Sequence, residues 1–292
     1  MKVRTEMYNM FDGAKDYLPV GQTTLPKLYL ILFLIYSGFL ALWAYICNQQ
    51  RKNVDKIHLV MGVLLLLLTL KIICALEDKR YIRNTGTPHG WDVAFYIFSF
   101  FKGVTLFTVI ILIGTGWSFL KPYLQEREKV VLMFVIPLQV LENIASVIIG
   151  ETGPATKGWF RWNEIFLIID VICCCTVIFP IAWSIRSLAE ASKTDGKVAK
   201  NVEKLTIFKQ FYIVVIVYLY FTRVVVSIIG AKVNYRYEWV AVAAAEGANL
   251  VFYSFIFLNF QPVDKNPYLV LHELEEDSAA SAHMWEENIS LG

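Results

Sequence analysis

The residues Val63-Leu64-Leu65-Leu66-Leu67-Leu68 form the centre of an apolar run that extends from about His58 to Leu76. A helix needs roughly 20 apolar residues to cross the hydrocarbon core of a bilayer. This run has that length, and its apolar centre is unbroken. It therefore predicts a membrane-spanning helix, and it is the clearest such segment in the chain.

Six more apolar runs of similar length lie on either side of this segment. Seven such runs, without long stretches of alternating polarity, favour a helical bundle over a β-barrel. We therefore predict an all-α membrane protein, with a seven-transmembrane-helix bundle over residues 25–260. The predicted helices are about Leu25–Cys47, His58–Leu76, Val93–Leu120, Lys129–Ile149, Trp162–Ile185, Leu205–Ala231 and Trp239–Phe260.

The overall composition agrees with a membrane protein. Apolar types make up 57% of the 292 residues and charged types 18%, whereas soluble domains carry about 25% charged residues. The net charge of +2 gives no strong field for nucleic acid, so we predict the lipid bilayer as a partner and no nucleic acid. Residues 1–24 precede the first helix, and residues 261–292 form an acidic tail that we predict to be disordered.

Lysines and arginines in the loops predict the orientation of the bundle. The loops after the first, third and fifth helices carry more of them than the opposite loops do. Counting Lys2, Arg4, Lys15 and Lys27 with the opposite loops nearly removes this difference. We predict a lumenal N-terminus and a cytosolic C-terminus.

Six charged side chains lie inside the predicted helices. A charge in hydrocarbon is costly, so each should face the bundle interior or a wet cavity. With the orientation above, all six lie roughly 8–14 Å below the lumenal boundary. They are Lys71, Lys102, Glu142, Asp170, Arg223 and Glu246, and their helix faces are extended by Gln139, Asn249, Ser99, Tyr220 and Tyr253.

Two interpretations of this layer of charges remain open. It can line a hydrated, lumen-facing cavity that binds a polar ligand or passes ions. Alternatively, the charges can form interhelical ion pairs that only fix the packing, or can snorkel to an interface. Lys71 is the weakest member of the cavity set, because its position near Leu76 would let it reach the lumenal interface.

The residues needed for known intramembrane enzymes are missing from the predicted bundle. The four histidines do not converge on one helix set, which argues against a metal hydrolase. Asp170 is the one aspartate within a predicted helix, so an aspartate pair is not available. We predict no enzyme activity, no metal and no cofactor. The Asp-Arg-Tyr that ends helix three of rhodopsin-like receptors is also absent, since that end reads Gly116-Trp117-Ser118-Phe119-Leu120.

The tail contains Tyr268-Leu269-Val270-Leu271, which fits a tyrosine-based sorting signal. Such a signal binds coat adaptors as an extended strand, with Tyr268 and Leu271 in two pockets. The pattern is short and also occurs by chance, so an ordinary tail remains the alternative.

Several strings in order resemble the lung seven-transmembrane receptor family, the GOLD-domain seven-helix proteins, and the plant-like members most. The similarity runs from about Leu25 to Tyr268. The strings are Ile113-Gly114-Thr115-Gly116-Trp117-Ser118-Phe119-Leu120-Lys121-Pro122, Val135-Ile136-Pro137-Leu138-Gln139-Val140-Leu141, Phe179-Pro180-Ile181-Ala182-Trp183-Ser184-Ile185-Arg186, Thr194-Asp195-Gly196-Lys197 and Tyr220-Phe221-Thr222-Arg223.

The resemblance implies a multi-pass protein of Golgi and endosomal membranes that supports protein transport, with lumenal cargo or ligand and coat adaptors as partners. It also implies a signal peptide and a lumenal β-sandwich before helix one, which we do not find in this sequence, so we expect a truncated product or a fragment. A trafficking receptor or scaffold is the leading functional prediction. A cation channel or transporter and a G-protein-coupled-like signalling receptor are the alternatives.

Overall fold

The computed structural model describes residues 8–11, 14–51, 54, 56–87, 89–114, 210–211 and 213–262, with single positions and short groups between 133 and 175. The structural statements below concern these residues.

A short antiparallel hairpin precedes the first helix. Its strands are β1 (Asn9–Phe11) and β2 (Ala14–Asp16), and Asn9 lies opposite Asp16. A 3-10 turn, Val20–Gln22, then leads into the bundle. The sequence analysis assigned no secondary structure to this segment.

Helix α1 (Leu25–Gln49) has Pro26 in its first turn, where the missing amide hydrogen costs nothing. Tyr29, Leu32, Tyr36 and Trp43 are buried, and their spacing places them along one face. The opposite face is equally apolar but exposed in the bundle, and its residues include Ile31, Leu34 and Leu42. A helix that is apolar all round is typical of a membrane span, because lipid covers the face that protein does not.

Helices α2 (Lys56–Thr85) and α3 (Trp91–Gly114) follow, and α2 packs against both α1 and α3. The leucine run forms the core of this contact, since Leu64, Leu65 and Leu68 are fully buried.

The end predicted for the second helix was wrong. We placed it at Leu76, but α2 continues to Thr85, so residues 77–85 are helical and do not form a loop. A charged pair three residues apart supports this extension, because Arg80 lies 3.7 Å from Glu77 on the same helix face. The helix then ends at Gly86, which has φ +78°, the conformation that glycine supplies most easily after a helix.

The last part of the bundle contains two helices joined by a 3-10 turn, Tyr235–Tyr237. Residues 213–220 are helical, a π-helical turn follows at Phe221–Val225, and α4 (Val226–Lys232) completes that helix. Helix α5 (Glu238–Asn259) returns across the bundle. Its aromatic side chains pack on α1, where the rings of Trp43 and Phe257 meet edge to face at 4.6 Å.

Four described helices are long and apolar enough to cross a membrane: Val20–Gln49, Lys56–Thr85, Trp91–Ile113 and Glu238–Asn259. They correspond to the first, second, third and seventh predicted spans. The sixth predicted span corresponds to the helical residues 213–232. About half of the fourth predicted span and most of the fifth lie outside the described residues, and the positions that are described there are helical.

Candidate polar site in the bundle

An ion pair between Lys71 and Glu246 joins α2 to α5. The ammonium nitrogen of Lys71 lies 2.8 Å from Oε1 of Glu246, and the two side chains are only 14% and 7% exposed. Lys71 is in the middle of α2, about 21 Å along the axis from Thr85. Its ammonium group points across the bundle to Glu246 on α5.

The second carboxylate oxygen of Glu246 is also satisfied. The side-chain amide of Asn249 donates a hydrogen bond to Oε2 of Glu246 at 3.1 Å. Asn249 in turn accepts a hydrogen bond from the hydroxyl of Tyr218 at 2.7 Å. Because Tyr218 belongs to the helical residues 213–220, this polar chain connects α2, α5 and the sixth span. We call Lys71, Glu246, Asn249 and Tyr218 the polar relay.

A second cation borders the polar relay from α3. The Nζ atom of Lys102 lies 5.7 Å from the ring centre of Tyr253, within the range of a cation–π contact. Its charge also acts on the carboxylate of Glu246. The anion of the relay is thus influenced by two cations, Lys71 and Lys102.

Two hydroxyl groups near the relay have unused hydrogen-bonding capacity. Tyr36 is fully buried and its ring contacts Tyr253, and Ser99 precedes Lys102 by three residues on α3. Among the described residues, neither the hydroxyl of Tyr36 nor that of Ser99 has a hydrogen-bond partner. Buried polar groups are normally paired, so these hydroxyls are suited to bind a polar ligand or water.

The structure brings together four of the predicted site residues: Lys71, Lys102, Glu246 and Asn249. Arg223 lies in the π-helical turn, and its side chain is not described. The remaining predicted residues, Gln139, Glu142, Asp170, Tyr268 and Leu271, lie outside the described residues. Within the described part of the chain, no group of three or more His, Cys, Asp or Glu side chains is placed to hold a metal ion.

The tyrosine that we expected on the polar face of the sixth span does not join the relay. We placed Tyr220 on that face because it precedes Arg223 by three residues, but Tyr220 is 60% exposed. Tyr218 is the residue that joins the relay. Arg223 lies in a π-helical turn, which has more residues than an α-helical turn. The α-helical rule that residues three apart share a face therefore does not identify which residues before this turn face the bundle interior. Tyr36 was not predicted as a site residue, because in the sequence it is only one aromatic residue within an apolar run.

The comparisons with known proteins agree with this architecture. The model of the GOST seven-transmembrane domain matches residues 24–267 of the chain. The chain belongs to the GOST seven-transmembrane family. This membership confirms the predicted seven-helix membrane fold and the resemblance stated above.

The chain is also similar to a protein from Arabidopsis thaliana that is named candidate G-protein coupled receptor 6. The two are 50% identical over 278 residues, which supports a plant-like, receptor-like member of the GOST family. The match covers 94% of this chain and 65% of the Arabidopsis protein, so the chain spans somewhat less than two thirds of that relative's length.

Proposed function

We propose that this GOST protein is a receptor or scaffold of Golgi and endosomal membranes that supports protein trafficking, without catalysis and without a cofactor. The observation that carries the proposal is the polar relay, which couples three helices in the bundle interior. The resemblance to trafficking proteins of the same family and the receptor-like name of the Arabidopsis relative support it. In this proposal the N-terminus is lumenal and the C-terminus is cytosolic.

The relay gives the receptor a means of responding to a ligand. A charged ligand group that binds Lys71 or Glu246 would compete with their ion pair. An unpaired charge in hydrocarbon is costly, so α2 and α5 would adjust to keep both charges satisfied. A ligand that binds one arrangement more tightly shifts the population toward it. The cytosolic loops and the tail would carry this change to coat adaptors.

The aromatic packing beside the relay supports a receptor. Toward the C-terminal end of α5, Phe257 packs edge to face on Phe39 and on Trp43. Within the described part of the chain, these rings join α1 to α5 on that side of Glu246. A cation channel or transporter is the second candidate, because Glu246 is a buried carboxylate that a cation could use.

Ion flux through the full chain in liposomes separates the receptor from the channel. We expect no sodium or potassium flux above that of empty liposomes, for the native chain and for Glu246→Gln. Glu238→Gln is the matched control, since Glu238 is exposed at the start of the same helix. A flux that is lost in Glu246→Gln and kept in Glu238→Gln would establish the channel and refute the receptor.

The location of the tagged chain in cells tests the trafficking role. Tyr268→Ala should shift the steady state from Golgi and endosomes toward the cell surface, because the tyrosine pocket of the adaptor would be empty. Leu269→Ala changes a neighbouring residue that the sorting pattern does not use. An unchanged distribution in Tyr268→Ala would remove the tail from the proposal.

A further inference from the structure

A cavity of about 440 Å³ lies between the hairpin, the start of α1 and the end of α2. It is remote from the polar relay and is independent of the proposed function. Its walls carry four cations, one from β2, one from α1 and two from the last turns of α2, against one carboxylate. The lining residues are Lys15, Asp16, Pro26, Lys27, Leu30, Leu76, Arg80, Arg83 and Asn84.

The one carboxylate of this cavity is already committed. Asp16 is almost completely buried, and its Oδ1 accepts a hydrogen bond from the amide of Leu18 at 2.9 Å. Its Oδ2 lies 3.3 Å from Nε of Arg83. Asp16 therefore balances Arg83 and holds β2 against α2, where the amide of Tyr17 also donates to the carbonyl of Arg83 at 3.2 Å. The other three cations leave the cavity strongly positive.

Arg80 is one of the accessible cations of this cavity. Its side chain is 66% exposed, and its nearest carboxylate oxygen, from Glu77, lies at 3.7 Å. An exposed pair at this distance contributes little, so the guanidinium group can turn to an anion in the cavity. Its planar set of donors matches the oxygens of a phosphate group. Lys27 is also exposed and approaches the cavity from α1.

The side of the cavity formed by Leu30 is apolar and continues into the exposed face of α1. Leu30 lines the cavity and is about half exposed. Leu34 follows one turn deeper in α1 and is also exposed, and residues four apart lie on the same helix face. The cavity thus places cations next to an apolar stripe that runs along α1 toward the middle of the bundle. This arrangement matches a phospholipid, whose charged headgroup would contact the cations while its acyl chain contacts the leucines. Basic pockets between transmembrane helices on the cytoplasmic or matrix side bind anionic headgroups, and the same charge complementarity applies to this cavity.

We propose that this basic cavity binds the phosphate group of an anionic phospholipid, whose acyl chain lies along Leu30 and Leu34. The chemistry that the cavity recognises is a phosphate anion, which a lipid or free phosphate can supply. The apolar stripe favours the lipid.

Native mass spectrometry of the full chain, titrated with phosphatidylglycerol, tests the proposal. The double variant Lys27→Gln, Arg80→Gln should bind the lipid about thirtyfold more weakly, since each of the two cations near an anionic lipid contributes roughly fivefold in affinity. The double variant Lys232→Gln, Arg236→Gln is the matched control. Both of its residues are exposed and lie at the same end of the bundle outside the cavity, so we expect a change of less than about twofold. The charge-preserving variant Lys27→Arg should keep most of the binding, which shows that replacing a side chain at this wall does not by itself disrupt the cavity.

Two further arms identify the source of the anion. Phosphatidylcholine should bind the native chain more weakly than phosphatidylglycerol and should lose less affinity in the cavity variant, because its choline cation offsets the charge of its phosphate. Inorganic phosphate at millimolar concentration should not displace phosphatidylglycerol. Equal losses in the cavity variant and the control variant would overturn the proposal. Displacement by inorganic phosphate would overturn the assignment to a lipid.

Discussion

Removing one partner of the Lys71–Glu246 pair should destabilise the bundle strongly, and removing both should cost less than the sum of the two single losses. The carboxylate of Glu246 accepts hydrogen bonds from Lys71 at 2.8 Å and from Asn249 at 3.1 Å. Glu246→Gln keeps the shape but leaves the charge of Lys71 without this carboxylate. Breaking a buried pair in this way typically costs about 3–5 kcal/mol. At about 2–4 °C per kcal/mol for a large domain, the melting temperature should fall by roughly 10 °C.

A double-mutant cycle in detergent, followed by tryptophan fluorescence during heating, measures the coupling. Lys71→Met should cost about as much as Glu246→Gln, because it leaves the carboxylate buried with its charge. The double variant should cost less than the sum of the two, by at least about 1 kcal/mol. Glu238→Gln on the same helix should change stability by less than about 1 kcal/mol. Strict additivity of the two single variants would refute the ion pair as an energetic link between α2 and α5.

Three further predictions concern other parts of the described structure. Gly86→Ala should destabilise the chain by about 1–2 kcal/mol in thermal unfolding, because φ is +78° and the added Cβ would lie 3.3 Å from the ring of Tyr17; an unchanged melting temperature would contradict this. Tyr218→Phe should cost about 0.6–2 kcal/mol through the lost bond to Asn249, and the same loss in Tyr220→Phe would show that the effect is not specific to the relay. Asp16→Asn should speed proteolysis ahead of α1 without changing the melting of the bundle, since the carboxylate holds β2 on α2; equal cleavage rates would show that the hairpin is held by other contacts.

The sequence predicted the spans well where their limits are set by hydrophobicity alone. The start of α1 at Leu25 and the position of α5 follow from apolar runs, and both agree with the structure. The end of α2 was missed because charged residues at a helix end look like a loop when their partners are unknown. One of those partners is Asp16, which is far away in the sequence and joins Arg83 only after folding.

The polar site was predictable in its parts but not in its connections. Each buried charge is costly in hydrocarbon, and this cost identified Lys71, Lys102 and Glu246 from the sequence. The choice of partner is different, because Lys71 and Glu246 are 175 residues apart and six charges allow several pairings. The fold brings Lys71 of α2 and Glu246 of α5 within 2.8 Å and so selects one of them. Periodicity could not select Tyr218, since the π-helical turn after it interrupts the regular spacing.

The π-helical turn also makes the sixth span sensitive to the insertion or deletion of a residue. One residue corresponds to a rotation of about 100° in an α-helix. Tyr218 before the turn bonds to Asn249 of α5, and after the turn α4 also packs against α5. The wide turn lies between these two contacts and sets the rotation of one relative to the other. Deleting a single residue within Phe221–Val225 would restore a uniform helix and rotate Tyr218 away from Asn249 as long as α4 stayed in place. The relay thus depends on chain length at this turn as much as on the identity of its side chains.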